Sequence, residues 1–125
     1  MMTPKDFCAV RRDVLGHVGG KWSALVLTLL DTAPRRYSEF GRASQINQRM
    51  LSLTLRELDR DGLVFRNPAT TSYELTPAGQ SLVGLIKPLI SWSDGHYDAI
   101  LESRARYAAS TSASAISAGR DSKAM

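Results

Sequence analysis

The 125-residue sequence predicts a mainly α-helical fold with one small β-hairpin. Apolar residues recur at spacings of three and four along several segments, as they do on the buried stripe of a helix. Two strand-like segments, Leu63–Arg66 and Ser72–Leu75, flank a turn-rich loop. Two short helices joined by a tight turn precede this hairpin. Together these features predict a winged helix-turn-helix, in which the second helix of the pair is held at an angle that suits a DNA major groove.

The first two helices are defined by the residues at their ends. Thr3 and Pro4 are types preferred at an N-cap and at the first helical position, so they predict a helix start. Gly19-Gly20 ends this helix, and a second helix follows over about Lys21–Asp31. The apolar stripe of the first helix consists of Phe7, Val10, Val14 and Val18.

The helix-turn-helix pair is predicted from the next signals along the chain. Arg35–Tyr37 is predicted as a short extended segment, and Ser38 as the N-cap of a third helix over Glu39–Ala43. After a turn, Asn47 is a suitable N-cap for a fourth helix over Gln48–Asp61.

The C-terminal half begins at Gly62, where a left-handed glycine commonly ends a helix. After the hairpin, Thr76-Pro77 repeats the N-cap and proline signature and starts a long helix, which we expect to reach about Tyr107. Pro88 lies inside this helix, so we expect a kink or a break there. Residues 108–125 are mostly small and polar, which predicts a disordered Ser/Ala-rich tail after one folded domain at residues 1–107.

The charge of the chain is unevenly distributed. The net charge is +4, and residues 1–66 hold eleven Lys/Arg against seven Asp/Glu, whereas residues 67–125 hold five of each. A locally basic surface is typical of proteins that bind a polyanion, although a surplus of four also fits simple solubility. No apolar run is long enough for a membrane span and no signal peptide is recognised, so we expect a cytoplasmic protein with no membrane partner.

The fourth helix has two distinct faces. At about 100° per residue, Leu51, Leu55 and Leu58 point to one side, with Thr54 at its edge. An arginine-rich opposite face favours DNA binding, because guanidinium groups bind guanine edges and phosphates. That face consists of Arg49, Leu53, Arg56 and Arg60, with Ser52 on its flank.

A solvated helix face held by ion pairs is the alternative interpretation. Arg56–Asp59 and Glu57–Arg60 are opposite charges at spacing three, which supports it. Like charges at spacing four oppose it, and Arg49 has no acidic residue three or four positions away. We therefore predict that this face binds DNA.

Several segments, in order and with similar spacing over about residues 8–97, resemble the HxlR-type regulators, which are relatives of the MarR group. They are GGKW at 19–22, PRRYSEF at 34–40, QRML at 48–51, LREL at 55–58, DGLV at 61–64 and YELTPAG at 73–79. The resemblance implies a dimeric transcription factor that binds a double-stranded DNA operator, with a small molecule or an oxidant as effector.

The resemblance also implies that the first and last helices form the dimer interface. An excess of apolar residues on these helices, beyond what one winged helix buries, favours a homodimer as well. The residues expected at the interface are Phe7, Val10, Val14, Leu89, Trp92 and His96.

The DNA contacts are expected from the fourth helix, from the arginine pair before the third helix and from the base of the hairpin. Arginine, amide and hydroxyl groups at these places bind base edges or phosphates. The predicted residues are Arg35, Arg36, Ser38, Asn47, Gln48, Arg49, Ser52, Arg56, Arg60 and Arg66.

Cys8 is the only cysteine, so it cannot form an intramolecular disulfide. The resemblance implies a redox sensor at this place, and a helix start followed by Arg11 and Arg12 favours a thiolate. A bridge between two subunits would then change the spacing of the recognition helices. The alternative is that Cys8 is a small apolar residue packed beside Phe7.

Enzymatic function is not predicted. His17 and His96 are the only histidines, and neither has a metal-ligand spacing with Cys8. The sequence contains no phosphate-binding glycine loop and no Gly-x-Ser-x-Gly turn, so we expect no catalytic residue, metal or cofactor. A winged helix used for protein–protein assembly, without DNA binding, remains the alternative function.

Overall fold

The structure is a computed structural model that describes residues 3–122, and within them the side chains of Thr3 and of residues 5–113. The order of its elements is that of a winged helix-turn-helix, which confirms the predicted fold class. The elements are α1 (Pro4–Gly19), α2 (Lys21–Thr32), β1 (Arg35–Arg36), α3 (Tyr37–Ala43), α4 (Gln48–Arg60), β2 (Val64–Arg66), β3 (Ser72–Leu75), α5 (Pro77–Gly95) and α6 (Tyr97–Ser122).

The three strands form one antiparallel sheet in the order β1-β3-β2. Arg35 pairs with Tyr73 on one side of β3, and Arg66 pairs with Tyr73 on the other. The extended segment predicted before the third helix is therefore a strand of the same sheet as the hairpin. This pairing fixes the start of α3 beside the wing, which is the hairpin formed by β2 and β3.

The buried core joins α2, α3, α4, the sheet and the first part of α5. Phe40, Leu27 and Leu58 are its largest fully buried side chains, and burial of each contributes about 1.5–3 kcal/mol. The other buried apolar residues are Val26, Leu30, Ile46, Leu51, Leu55, Leu63, Val64, Val83 and Ile86. The predicted inward face of α4 thus packs on this core.

Two glycines meet specific demands of the backbone. Gly62 has a φ of +73° and follows α4, as predicted for a left-handed residue at a helix end. Gly79, in the first turn of α5, lies against the chain just before β2. A Cβ at this position would be 2.0 Å from the carbonyl oxygen of Leu63. The absence of a side chain therefore allows α5 to approach the sheet closely.

The start of α3 differs from the sequence prediction. The helix begins at Tyr37, and Arg36 is its N-cap, so Ser38 lies within the first turn and does not cap the helix. The backbone N–H of Arg36 donates to Glu39 Oε1 at 3.0 Å. This carboxylate reaches back to the N-cap from the third helical position, and such a cap does not require Ser or Thr at the N-cap.

The long C-terminal helix breaks after Gly95 and not at Pro88, and a kink at Pro88 stays a prediction. α5 continues through Pro88 and ends at Gly95, and α6 begins after His96. The N–H of His96 is shared between the carbonyls of Trp92 and Ser93, at 3.1 and 3.2 Å. Gly95 is a poor helix former, which favours a helix end at this position.

The chain divides into two compact units, residues 1–88 and 89–125. The second unit contains helical backbone up to Ser122. The composition predicted a disordered tail from residue 108 onward. Alanine, which has the highest helix propensity, is frequent in this segment. A disordered tail over residues 108–125 stays a prediction. Residues 123–125 of the predicted tail lie outside the described residues. A domain limit at residue 107 stays a prediction.

Candidate nucleic-acid interface

α4 presents its polar face to solvent because its apolar face is buried. Asn47 caps the helix as predicted, with its Oδ1 accepting from the Met50 N–H at 2.8 Å. The buried face is formed by Leu51, Thr54, Leu55 and Leu58. The exposed residues are Gln48, Arg49, Ser52, Leu53, Arg56, Asp59 and Arg60, which include every α4 residue predicted to face outward.

Two arginines of this face are available for a ligand. Arg49 and Arg56 are exposed, and within the described part of the chain neither guanidinium forms an ion pair. The Arg56–Asp59 and Glu57–Arg60 pairs that would make this a solvated ion-paired face are likewise not formed among the described residues. The positive charges of Arg49 and Arg56 therefore remain free to attract a polyanion.

Arg60, which was predicted to contact DNA, forms ion pairs within the protein. Its Nε and Nη2 donate to Asp61 at 2.9 and 3.0 Å, and Nη2 lies 3.9 Å from Asp13 of α1. These contacts hold its guanidinium at the C-terminal end of α4. Recognition helices contact base edges mainly through their N-terminal residues, so Arg60 is the least favourably placed of the α4 arginines.

A histidine–aspartate pair, of which only the histidine is buried, links α1 to the end of α4. His17 is 4% exposed, and its Nε2 lies 2.6 Å from Asp61 Oδ2. Hydrogen bonds from Arg60, and then from His17, lower the pKa of Asp61 to about 2. This pair was not predicted, because no sequence signal relates two residues 44 positions apart.

The arginine pair before α3 divides into two roles. Arg35 is half-buried, and its Nε donates to the Leu29 carbonyl at 3.2 Å while Nη2 donates to Thr32 Oγ1 at 3.0 Å. It therefore satisfies acceptors at the C-terminal end of α2. Arg36 is exposed, and its Nε donates to the Thr70 carbonyl in the wing at 3.3 Å.

A groove of about 420 Å³ lies at the base of the wing. The structure brings three predicted DNA-binding residues together there: Arg36, Ser38 and Arg66. Thr71, also at this groove, has a φ of +58° in the turn. Two guanidinium groups and a hydroxyl are a suitable set of donors for a phosphate oxygen.

Tyr37 joins this groove to α4. Its hydroxyl lies 2.9 Å from the Gln48 carbonyl oxygen and 2.8 Å from Ser52 Oγ. The two contacts fix the first turn of α3 against the first turns of α4. Tyr37 was not among the residues predicted to bind DNA.

The residues predicted for the dimer interface are exposed, each within its own unit. In the first unit, Phe7 and Val10 are 53% and 54% exposed on α1. In the second unit, Trp92 is 55% exposed and stacks on the His96 ring with 4.1 Å between centroids. The remaining predicted residues, Val14 and Leu89, are also exposed.

Cys8 is exposed on α1, so it is not packed in the core. The Arg11 guanidinium lies 4.7 Å from the centre of the Phe7 ring, and Arg12 lies 3.7 Å from Asp13. Both arginines that were expected to stabilise a thiolate thus have other partners. Among the described residues, no three His, Cys, Asp or Glu side chains cluster as a metal site would require. Within residues 3–122, no helix has both the length and the apolar character needed to cross a membrane.

Known proteins with similar sequences and structures are helix-turn-helix regulators. The HxlR-like helix-turn-helix family model matches residues 17–100. The HTH-type transcriptional regulator YdeP of Bacillus subtilis is 37% identical over 92 residues, which cover 69% of this chain and 72% of YdeP. A solved structure of the transcriptional regulator ytfH from Salmonella typhimurium is 29% identical with a TM-score of 0.65, covering 75% of this chain and 89% of that one.

A second solved structure is that of a redox regulator. HypR in its reduced form is 33% identical with a TM-score of 0.61, and the match covers 81% of this chain and 99% of HypR. The fold, the exposed arginines of α4 and these matches agree with one another. The chain therefore belongs to the HxlR-like helix-turn-helix family and is a winged-helix transcriptional regulator.

Proposed function

We propose that this protein is a homodimeric, sequence-specific DNA-binding regulator that inserts α4 into the major groove of its operator. The observation that carries the proposal is the outward face of α4, where Arg49 and Arg56 are exposed and form no ion pair in the described part of the chain. A rigid helix with free arginines provides both the shape and the donors for base edges.

The residues around α4 have separate roles in this proposal. Arg49, in the first turn of α4, reaches base edges, whereas Arg56 binds bases or the flanking backbone. Arg36, Ser38 and Arg66 bind phosphate at the wing groove and so set the orientation of the protein on the duplex. Asn47 and Gln48 add polar groups at the N-terminus of α4, and Arg60 remains a candidate for the distal phosphates.

Homodimer formation is the second part of the proposal. Each unit exposes large apolar side chains, such as Phe7 on α1 and Trp92 on α5. A second copy of the chain would cover these surfaces and present two recognition helices roughly 34 Å apart, the spacing of successive major grooves. Light scattering at micromolar concentration is expected to give the dimer mass, and a monomer mass would contradict this part.

For the effector, we propose an oxidant that acts at Cys8. The thiol is exposed, and the similar protein HypR is a redox regulator. Two Cys8 thiols of a dimer would lose two protons and two electrons to a diazene such as diamide and form one intersubunit disulfide. Diamide is expected to change the DNA affinity of the wild type but not of Cys8→Ser, and equal responses would contradict an oxidant sensor at Cys8.

The DNA-binding proposal is tested with the protein and duplexes from the region upstream of its own gene. Fluorescence anisotropy over a range of salt concentrations is expected to show tighter binding to one duplex than to a scrambled one. Affinity is expected to fall as salt rises, because phosphate contacts release counterions. A winged helix used only for protein–protein assembly would bind neither duplex at low salt.

A further inference from the structure

The hydroxyl of Ser52 has its hydrogen-bonding direction set by a neighbour. Tyr37 Oη, at the start of α3, lies 2.9 Å from the Gln48 carbonyl oxygen and 2.8 Å from Ser52 Oγ. Gln48 and Ser52 lie one turn apart on α4. The three groups thus form one hydrogen-bonded set between the two helices of the helix-turn-helix.

The donors and acceptors in this set can be assigned from elementary chemistry. A backbone carbonyl only accepts, so Tyr37 must donate its single proton to Gln48. The contact between Tyr37 and Ser52 is then a hydrogen bond only if Ser52 donates to Tyr37 Oη. A serine hydroxyl has one proton, so Ser52 Oγ keeps only its lone pairs for any other partner.

Ser52 lies where a bound duplex would meet those lone pairs. It is exposed on α4, with Arg49 three positions before it and Arg56 four positions after it. Residues at these spacings share one face of a helix. A duplex bound by the two arginines would therefore cover Ser52, and exclusion of water would strengthen the hydrogen bonds that hold its proton inward.

We propose that Ser52, held by Tyr37, is an acceptor-only contact that selects an amino base, adenine or cytosine, at one position of each half-site. This inference rests on the proposed DNA-binding function. In the major groove, adenine N6 and cytosine N4 donate, whereas guanine O6 and thymine O4 accept. Ser52 Oγ can therefore accept a hydrogen bond from adenine or cytosine. Opposite guanine or thymine it would face another acceptor, and no hydrogen bond could form.

Guanine or thymine at this position would lower the affinity because the hydrogen bonds among Tyr37, Gln48 and Ser52 fix the Ser52 hydroxyl. To donate to guanine or thymine, Ser52 must break its hydrogen bond to Tyr37 and leave that hydroxyl without a donor at a covered interface. An unsatisfied hydrogen-bonding group of this kind lowers affinity by roughly 5- to 10-fold. Tyr37→Phe removes the constraint, because Ser52 can then rotate and donate as well as accept.

The test is selection from a randomised duplex library, with sequencing of the DNA bound by the full-length protein. The Ser52→Ala variant first identifies the base that Ser52 contacts: it is the position at which the variant loses the base preference of the wild type. At that position the wild type is expected to favour adenine or cytosine by roughly 5-fold or more, and Tyr37→Phe to reduce this to about 2-fold or less. Ser52→Thr keeps a hydroxyl and is expected to retain the preference.

Tyr73→Phe is the matched control, since it also removes one tyrosine hydroxyl. Tyr73 packs edge-on against Phe40, with 6.3 Å between ring centroids, and makes no contact of the Tyr37 kind among the described residues. It is expected to leave the amino-base preference unchanged. Circular dichroism melting of every variant checks that each one is folded, so that loss of selectivity is separated from loss of structure.

The outcomes separate this inference from the function on which it rests. If the wild type enriches no sequence, the DNA-binding proposal itself fails. If it enriches a sequence, the inference is overturned by any of three results: Ser52→Ala changes no position, the located position prefers guanine or thymine, or Tyr37→Phe keeps the preference. A purely structural Tyr37 would instead weaken binding to all sequences alike.

Discussion

Neutralising Asp61 tests the connection between α1 and the end of α4. Asp61 accepts hydrogen bonds from Arg60 and lies 2.6 Å from the buried His17. These interactions lower its pKa from 3.8 to about 2. The difference corresponds to about 2 kcal/mol of unfolding free energy at neutral pH, as an upper value because the carboxylate is partly solvated.

The sign of the pH dependence follows from the direction of the shift. A carboxyl whose pKa is lower in the folded state stabilises the fold above its unfolded pKa, and the contribution is lost as pH falls through its folded pKa. Asp61→Asn is therefore expected to lower the unfolding free energy by up to about 2 kcal/mol near pH 7. The difference from the wild type is expected to shrink as pH falls below about 5 and to disappear only below about pH 2, where Asp61 is protonated in both states.

Urea denaturation followed by circular dichroism, at one fixed protein concentration, measures this difference at each pH. Asp59→Asn is the matched control, because Asp59 is exposed on the same helix and forms no ion pair among the described residues. It is expected to have little effect. The reasoning would be refuted if both variants lost equal stability near pH 7, or if the loss in Asp61→Asn did not depend on pH.

Three further predictions follow from the packing and the termini. Gly79→Ala is expected to lower the unfolding free energy by about 1–3 kcal/mol, because its Cβ would meet the Leu63 carbonyl. Gly84→Ala, with open space on the same helix, is expected to raise the unfolding free energy, and equal effects of the two variants in thermal melts would contradict this. Arg35→Ala is expected to lower the melting temperature, because Arg35 satisfies acceptors at the end of α2. Arg36→Ala is expected to weaken binding to operator and scrambled DNA alike in anisotropy measurements. Loss of stability in Arg36→Ala and loss of DNA affinity in Arg35→Ala would contradict these roles. Deletion of residues 108–125 is expected to leave the melting temperature and the operator affinity unchanged, and a drop in either would contradict a domain limit at residue 107.

Local signals in the sequence predicted the elements of the fold well. Thr3, Asn47 and Gly62 lie at the helix ends where their residue types are preferred, and the two faces of α4 agree with its leucine spacing. These features depend on hydrogen bonds and burial within one turn of helix. They can therefore be read from neighbouring residues alone.

Contacts between distant parts of the chain were not predictable in this way. The role of Arg35 as a partner for the end of α2 depends on how the strand packs. The His17–Asp61 pair depends on where the end of α1 lies relative to the end of α4. Tyr37 likewise contacts residues 11 and 15 positions away. Residue types alone indicated a basic DNA-binding face, but the structure was needed to separate free arginines from those with partners.

The most direct test of the central claim is the ratio of operator affinity to scrambled-DNA affinity for the double variant Arg49→Ala/Arg56→Ala. The matched control is Arg104→Ala/Arg106→Ala, which removes the same charge from exposed positions on α6. If α4 reads bases through these side chains, the first variant loses about 1–3 kcal/mol of operator affinity per base contact and its ratio falls, while the control keeps the wild-type ratio. An unchanged ratio in the Arg49→Ala/Arg56→Ala variant would contradict the assignment of α4 as the recognition helix.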